Sequence, residues 1–466
     1  MAHVILWSSM APQRKHNSVG RSLGPHQLAS WLRIHGYTVK VIDFCNWMSI
    51  DELVQITEKF IDNDTLTIGV STTFWKNEDW PPKPGYKNVE PTWVLDARNC
   101  IESKYPSIKW SMGGARTYLH NQSNWFKFYN HAEDDYLRWL NEISKNNKQL
   151  VQLFDIRESC NIFHETDYIQ PQEVIPIELG RGCMFKCKFC AYDKIGKKPG
   201  TYSRNFDNIR RDIMHAHTNW GTTKFYYVDD TVNESESKVQ ALADIAQSMP
   251  FELEWIGYVR PDLIWSKPNT EQWLKDSGLR SAFFGIESFE AKSSSLVGKG
   301  WSGKHGKDWL LEKRQKWGNS LTWQIGMIVG LPGQTIPQLE DDCNWLINND
   351  MHLWSFVPLW LEPGYYQSEF SNNASKYGFT FPDISRPYAW HNKEWTFDIA
   401  YDVYTKLNAM SNNKHKVAGW QLGEYSSLGY SMKELMSTYV KDLQHKELEI
   451  KSRNFLNTYI QNNLKE

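Results

Sequence analysis

The chain has 466 residues, 41% of them hydrophobic and 23% charged, which is too long for one ordinary core and too apolar for a disordered polymer. Its 52 basic and 54 acidic residues leave a formal net charge of −2, which gives no basis for a broad attraction to nucleic acid or to an anionic membrane surface. No apolar run reaches the length of a membrane span, and the start, Met1-Ala2-His3-Val4-Ile5-Leu6-Trp7, reads as a buried strand and not as a secretion signal.

Strand and helix signals alternate from the beginning. His3–Trp7, Thr38–Asp43, Thr65–Ser71 and Lys109–Met112 are β-branched or apolar runs. Between and after them Pro25–His35, Ile50–Phe60, Trp93–Ser103 and Ala132–Ile143 carry apolar residues at helical spacing. This pattern predicts an α/β domain over 1–145, a doubly wound parallel sheet whose ligand lies beyond the carboxyl ends of the strands. The rim would be Ser8–Gly24, Ser71–Trp80 and Gly113–Thr117; it contains no GxGxxG phosphate fingerprint. Weak periodicity over 146–173 predicts a linker.

A second alternation runs over 174–370. Its strands are Val174–Leu179, Lys224–Val228, Leu253–Val259, Ser281–Ile286, Leu321–Val329 and Leu353–Leu361, with helical stretches between them. Six β/α units predict a partial (β/α)6 TIM-type barrel with chemistry at the strands' C-terminal ends. Residues 371–466 predict a mainly helical region with a capping or lid role: Trp395–Met410 and Met432–Leu443 as helices, and Lys446–Glu466 as a polar helix that frays.

Of the seven cysteines, Cys45, Cys100, Cys160 and Cys343 are scattered, whereas Cys183, Cys187 and Cys190 crowd into one loop after the barrel's first strand. An odd number without a secretion signal argues against a disulfide framework and for a reduced, cytoplasmic setting. The C-x3-C-x2-C spacing puts three thiolates where they can bind three irons of a [4Fe–4S] cluster, leaving the fourth iron open to a ligand. The alternative is a structural zinc knuckle with a distant fourth ligand, although zinc sites usually pair C-x2-C with a second pair downstream.

With Phe189 in its place, Cys183-x3-Cys187-x-Phe189-Cys190 resembles the signature of the radical S-adenosylmethionine (SAM) superfamily. The resemblance extends in order through Phe225-Tyr226-Tyr227-Val228-Asp229-Asp230, Arg260-Pro261-Asp262-Leu263, Gly285-Ile286-Glu287-Ser288, Lys299-Gly300 and Gly330-Leu331-Pro332-Gly333-Gln334-Thr335. It implies an enzyme in which SAM chelates the open iron and one electron from the reduced cluster breaks the S–C5′ bond. The resulting 5′-deoxyadenosyl radical takes a hydrogen atom from the substrate. It further implies Phe189 against the adenine, Glu287 at the SAM ribose or amine, Arg260 and Lys299 toward the carboxylate, and Asp229 and Asp230 near the amine. For each charged residue the other reading is a structural ion pair at a strand end, and Asp230 has the further alternative of capping the next helix. Related sequences carry an acid three residues after the second glycine of G-x-I-x-G; here Gly333 stands there, and that contact is not carried over.

The order of domains resembles radical SAM enzymes with an N-terminal cobalamin-binding domain, a class that includes methyltransferases. The D-x-H-x-x-G motif of His-ligated cobalamin domains is absent, and Trp75 and Trp80 on the rim would either stack on a corrin or fill its place. The resemblance therefore implies radical SAM chemistry with cobalamin as an option for methyl transfer, and a reductant such as flavodoxin or ferredoxin as partner. The alternatives are a cobalamin-free radical SAM enzyme with a degenerate first domain, or a non-catalytic iron–sulfur or zinc binding module. A methylthiotransferase is disfavoured, because Cys45 and Cys100 cannot supply a second cluster. Nothing in the sequence names the substrate.

Overall fold

Apolar strands alternating with amphipathic helices build two parallel sheets. The structure, a computed structural model, describes residues 1–9, 19–73, 91–114, 117, 125–129, 131–144, 153–191, 203–299, 303–361, 367–382, 389–410 and 414–465. The first sheet contains β1 (Val4–Trp7), β2 (Val39–Ile42), β3 (Thr67–Ser71), β4 (Lys109–Gly113) and β5 (Phe126–Phe128), all parallel, in the order β2-β1-β3-β4-β5. β1 and β2 are buried along their whole length, as expected of strands covered on both faces by helices. The order reverses between β1 and β3, the kind of switch point beyond which doubly wound sheets bind ligands. β5 was not predicted: three residues are too few for an alternation signal.

The second sheet contains β6 (Val174–Glu178), β7 (Lys224–Val228), β8 (Glu254–Val259), β9 (Leu279–Glu287), β10 (Thr322–Val329) and β11 (Leu353–Pro358). They lie in sequential order, each parallel to the next, so the six predicted units are present. β6 and β11 are the two edges, so the sheet is open and not a closed barrel. Side chains alternate along it. Phe225, Tyr227, Trp255, Phe284 and Trp323 join the core under the helices, while Tyr226 and Ile256 turn the other way and pack with Val417, Leu422 and Tyr425 of the C-terminal region.

Three predicted features take a different form. The Met432–Leu443 helix is limited to Met432–Leu435, followed by a 3-10 turn at Val440–Asp442. The polar tail is a helix, His445–Lys465, whose buried residues Leu448, Ser452, Phe455, Leu456, Tyr459, Ile460 and Asn463 form one narrow stripe. Phe455, Leu456, Tyr459 and Ile460 belong to the core of the first domain, so this element closes that domain instead of acting as a lid. The predicted linker, described from 153 onward, is a staple. Its Asp167 and Glu173 enter a buried network in which Arg21 pairs with Asp43 at 2.6 Å and Glu173 at 2.7 Å, and His26 lies between Asp43 at 3.0 Å and Asp167 at 3.3 Å.

Candidate active site

The cysteine loop leaves the end of β6 and is fixed at its base by Arg204. This buried side chain donates to Glu178 O at 2.9 Å and Ser159 O at 2.6 Å and pairs with Asp212. Farther along, Lys188 N donates to Val297 O at 3.2 Å, and Phe370 N donates to Lys188 O at 2.9 Å, so the loop is held from two sides. Cys183 Sγ lies 3.3 Å from Thr231 Oγ1, and Arg260 Nη1 donates to Cys187 Sγ at 3.6 Å. Cys190 N donates to Cys187 O at 3.0 Å. The Arg260 guanidinium also stacks 4.1 Å from the Phe185 ring centroid and pairs with Asp262 at 2.6 Å. Burial works against its charge, but Asp262 and the neighbouring thiols outweigh that and hold Arg260 protonated. A cation and a hydroxyl beside sulfur suit anionic thiolates. Among the described residues no three His, Cys, Asp or Glu side chains gather around a single-ion site.

Glu287 ends β9 with φ +67°, a left-handed backbone rare for a residue with a side chain. The β9–β10 register skips here, from Gly326 opposite Gly285 to Met327 opposite Glu287, so the strand bulges and re-aims the carboxylate. Glu287 meets Lys299 at 3.1 Å. A Cβ on Gly285 would overlap Glu287 Oε1, which explains the glycine. The adjoining Ser288 accepts from Gln334 Nε2 at 3.2 Å, and Gln334 Oε1 accepts from Gly330 N and Leu331 N at 3.0 and 2.9 Å. The turn at 330–333 is thus tied directly to the residue after Glu287.

The other predicted residues are placed differently. Asp229 is buried, pairs with Lys238 at 2.7 Å and accepts from Thr231 N at 2.8 Å, so its carboxylate is engaged with the following helix. Asp230 is half-buried and does not cap that helix, Glu236–Gln247; Ser235 does, accepting from Lys238 N. Its charge is felt at the mouth: after burial, the Asp230 carboxylate contributes to raising both the Cys183 thiol and the Tyr258 hydroxyl. Phe189 is half-buried and packs against the core of the second sheet.

A cavity of about 290 Å³ lies where the two sheets' strand ends face each other. Trp7, Ser71 and Gly113 line it from the first sheet, Glu178, Arg181 and Val228 from the second. Gly24, on the predicted rim, also lines it, and a Cβ there would meet nothing within 4 Å. The rest of the rim, with Trp75 and Trp80, lies mostly outside the described residues. Arg181 crosses between domains, reaching Glu178 at 2.6 Å and Glu133 at 2.6 Å. Sequence reasoning missed Arg181, Glu133, Thr231, Phe185 and Gln334. Only Arg181, beside the first cysteine, and Gln334, inside the GLPGQT block, carried any local signal.

Residues 177–346 match the family model described as the Radical SAM superfamily. A stretch of 161 residues is 23% identical to an uncharacterized methyltransferase of Pyrococcus horikoshii, covering 34% of this chain and about a third (34%) of that relative's length. The solved structure of the radical SAM methyltransferase TsrM from Kitasatospora setae, with cobalamin and a [4Fe–4S] cluster bound, aligns with a TM-score of 0.64 at 13% identity, over 97% of this chain and 100% of that one. The cobalamin-dependent radical SAM enzyme OxsB, with aqua-cobalamin and SAM bound, aligns at 0.53 and 14% identity, over 81% of this chain and 56% of that one. At these identities the structural likenesses establish the fold, and the family match adds the domain: the chain carries a radical SAM domain, set behind a five-stranded parallel domain in the fold of cobalamin-dependent radical SAM enzymes.

Proposed function

We propose that this chain is a radical SAM methyltransferase that uses a [4Fe–4S] cluster, SAM and cobalamin. The observation that carries the reading is the shared cavity, because residues from both sheets' strand ends line one space that reaches Arg181, two residues before Cys183. A methyl carrier on the first domain and a radical generator on the second need such a common space. The methyltransferase relatives supply the reaction class.

The donor set fits a cluster: Cys183, Cys187 and Cys190 would hold it, with Thr231 and Arg260 stabilising sulfur charge. Glu287 and Lys299 would orient SAM's amine and carboxylate, with Phe189 along the adenine and Asp230 at the mouth. The apolar, glycine-bordered cavity fits part of a corrin, with the backbone at Gly24 leaving room. When bound, the cluster supplies an electron to SAM and the corrin supplies a methyl carrier. Meanwhile the chain's own residues hold SAM and exclude water. The electron would come from a reductant such as flavodoxin or ferredoxin. Cysteines that lie outside any disulfide support a reducing compartment such as the cytoplasm; among the described residues no helix is long and apolar enough to cross a membrane.

Anaerobic purification and reconstitution test the reading. A brown protein that forms 5′-deoxyadenosine or S-adenosylhomocysteine from SAM under reduction, and that binds hydroxocobalamin, supports it. A colourless protein holding one zinc overturns it. A brown, SAM-cleaving protein that binds no corrin leaves a cobalamin-free radical SAM enzyme.

A further inference from the structure

Arg181 is clamped by two carboxylates from opposite domains, yet one of their oxygens is left over. Its Nη2 donates to Glu133 Oε1 at 2.6 Å, its Nε donates to Glu178 Oε1 at 2.6 Å, and its Nη1 lies 3.0 Å from His131 Nδ1. Glu133 is only 6% exposed, and among the described residues its Oε2 has no hydrogen-bond partner. Both Glu133 and Arg181 line the interdomain cavity. Burial disfavours charge on Glu133, but Arg181 and then His131 outweigh it and hold the carboxyl below its ordinary range. Oε2 is therefore an ionised, acceptor-only atom in a buried wall, an arrangement that a ligand N–H would complete. A phosphate or carboxylate ligand would be repelled there. Arg181, already shared between two acids, has no spare charge to attract one.

We propose that Glu133 Oε2 accepts a hydrogen bond from a primary-amide side chain of the corrin, with Arg181 as the positioning residue that fixes the carboxylate. The proposal rests on the cobalamin reading above and adds to it the recognition residue. The cavity holds one arm of a large cofactor and not the whole, which suits an amide side chain on a corrin rim. Because Arg181 lies two residues before Cys183, the same side chain that orients Glu133 also borders the cysteine loop.

The test is equilibrium dialysis of hydroxocobalamin against the anaerobically reconstituted full chain, with bound corrin read by its visible absorption. Glu133→Gln keeps the side chain's size but must turn its –NH2 toward either Arg181 or the amide, a donor against a donor. It should weaken corrin binding about 10- to 100-fold, the range of a charge-assisted hydrogen bond. Iron content and SAM affinity should stay at the unmodified chain's values even where the lost Arg181 pair lowers the melting temperature, and Glu133→Ala should weaken corrin binding at least as much. Undiminished corrin affinity in Glu133→Gln overturns this proposal alone. So does a loss of iron and SAM binding in step with corrin, which marks a structural acid, or a loss confined to SAM, whose ammonium would then be the true partner. A native chain that binds no hydroxocobalamin overturns this proposal together with the cobalamin reading.

Discussion

Glu287 and Lys299 form a 3.1 Å ion pair at the top of the second sheet, although the helix Ala291–Val297 separates them in sequence. The pair exists because Glu287 takes a positive φ at a bulge, a conformation that costs on the order of 1–3 kcal/mol and persists only when its surroundings impose it. Here Ser288 and the Gln334-braced turn impose it. Glu287→Ala should therefore weaken SAM binding tenfold or more while leaving iron content intact. Gly285→Ala should act in the same direction, because its Cβ would displace the Glu287 carboxylate. SAM binding measured beside iron content checks both; loss of iron first would make Glu287 a purely structural acid.

Arg260 donates to Cys187 Sγ from a stack on Phe185. Removing this cation in Arg260→Met should make a bound cluster harder to reduce, lowering its potential by on the order of tens of millivolts. A redox titration followed by electron paramagnetic resonance would detect the shift, and an unchanged potential would show that the guanidinium only packs. Cys187→Ala, by contrast, should abolish SAM cleavage while leaving the first domain folded.

The buried network between the first domain and the linker makes stability depend on pH. Burial alone would lower the pKa of His26, but Asp43 and Asp167 outweigh it and raise it from 6.5 to about 9. A raised folded value means stability that is complete below pH 6.5 and is lost as pH climbs toward 9. Lys40 opposes this at the upper end. Burial, only partly offset by Asp167 and Asp43, lowers it to about 8, so above pH 8 its loss of charge in the folded state favours folding. Between pH 6.5 and 8 His26 acts without that opposition, and unfolding free energy should fall by about 2 kcal/mol. Denaturant melts across this window should show the slope, and His26→Gln should flatten it.

The last helix should hold the first domain together. Phe455 and Tyr459 pack edge-on against Phe44, and Tyr459 Oη accepts from Asp43 N at 2.9 Å. Phe455→Ala should cost about 3–5 kcal/mol. Hydrogen exchange should show the loss in β1 to β3 and not in β7 to β10; uniform loss would mean that the two domains unfold as one.

Local chemistry was enough for the cysteine loop, the six β/α units and the GLPGQT turn. Cys183, Cys187, Phe189 and Cys190 sit within one loop, and each strand–helix unit announces itself by its own periodicity. What depended on long-range packing was not legible. The tail looked polar because its buried stripe occupies one narrow face of a helix whose other positions are mostly polar or charged, and only the waiting groove of the first domain turns that stripe into core. Asp229 and Asp230 are neighbours in sequence with the same side chain, yet Lys238 claims one while the other stays at the mouth, a choice made by the helix that follows β7. Glu133 and Arg181 lie far apart in sequence with no pattern joining them. Their contact exists because two parallel sheets turn their carboxyl ends toward one cavity, and that orientation comes from interdomain burial that no local spacing encodes.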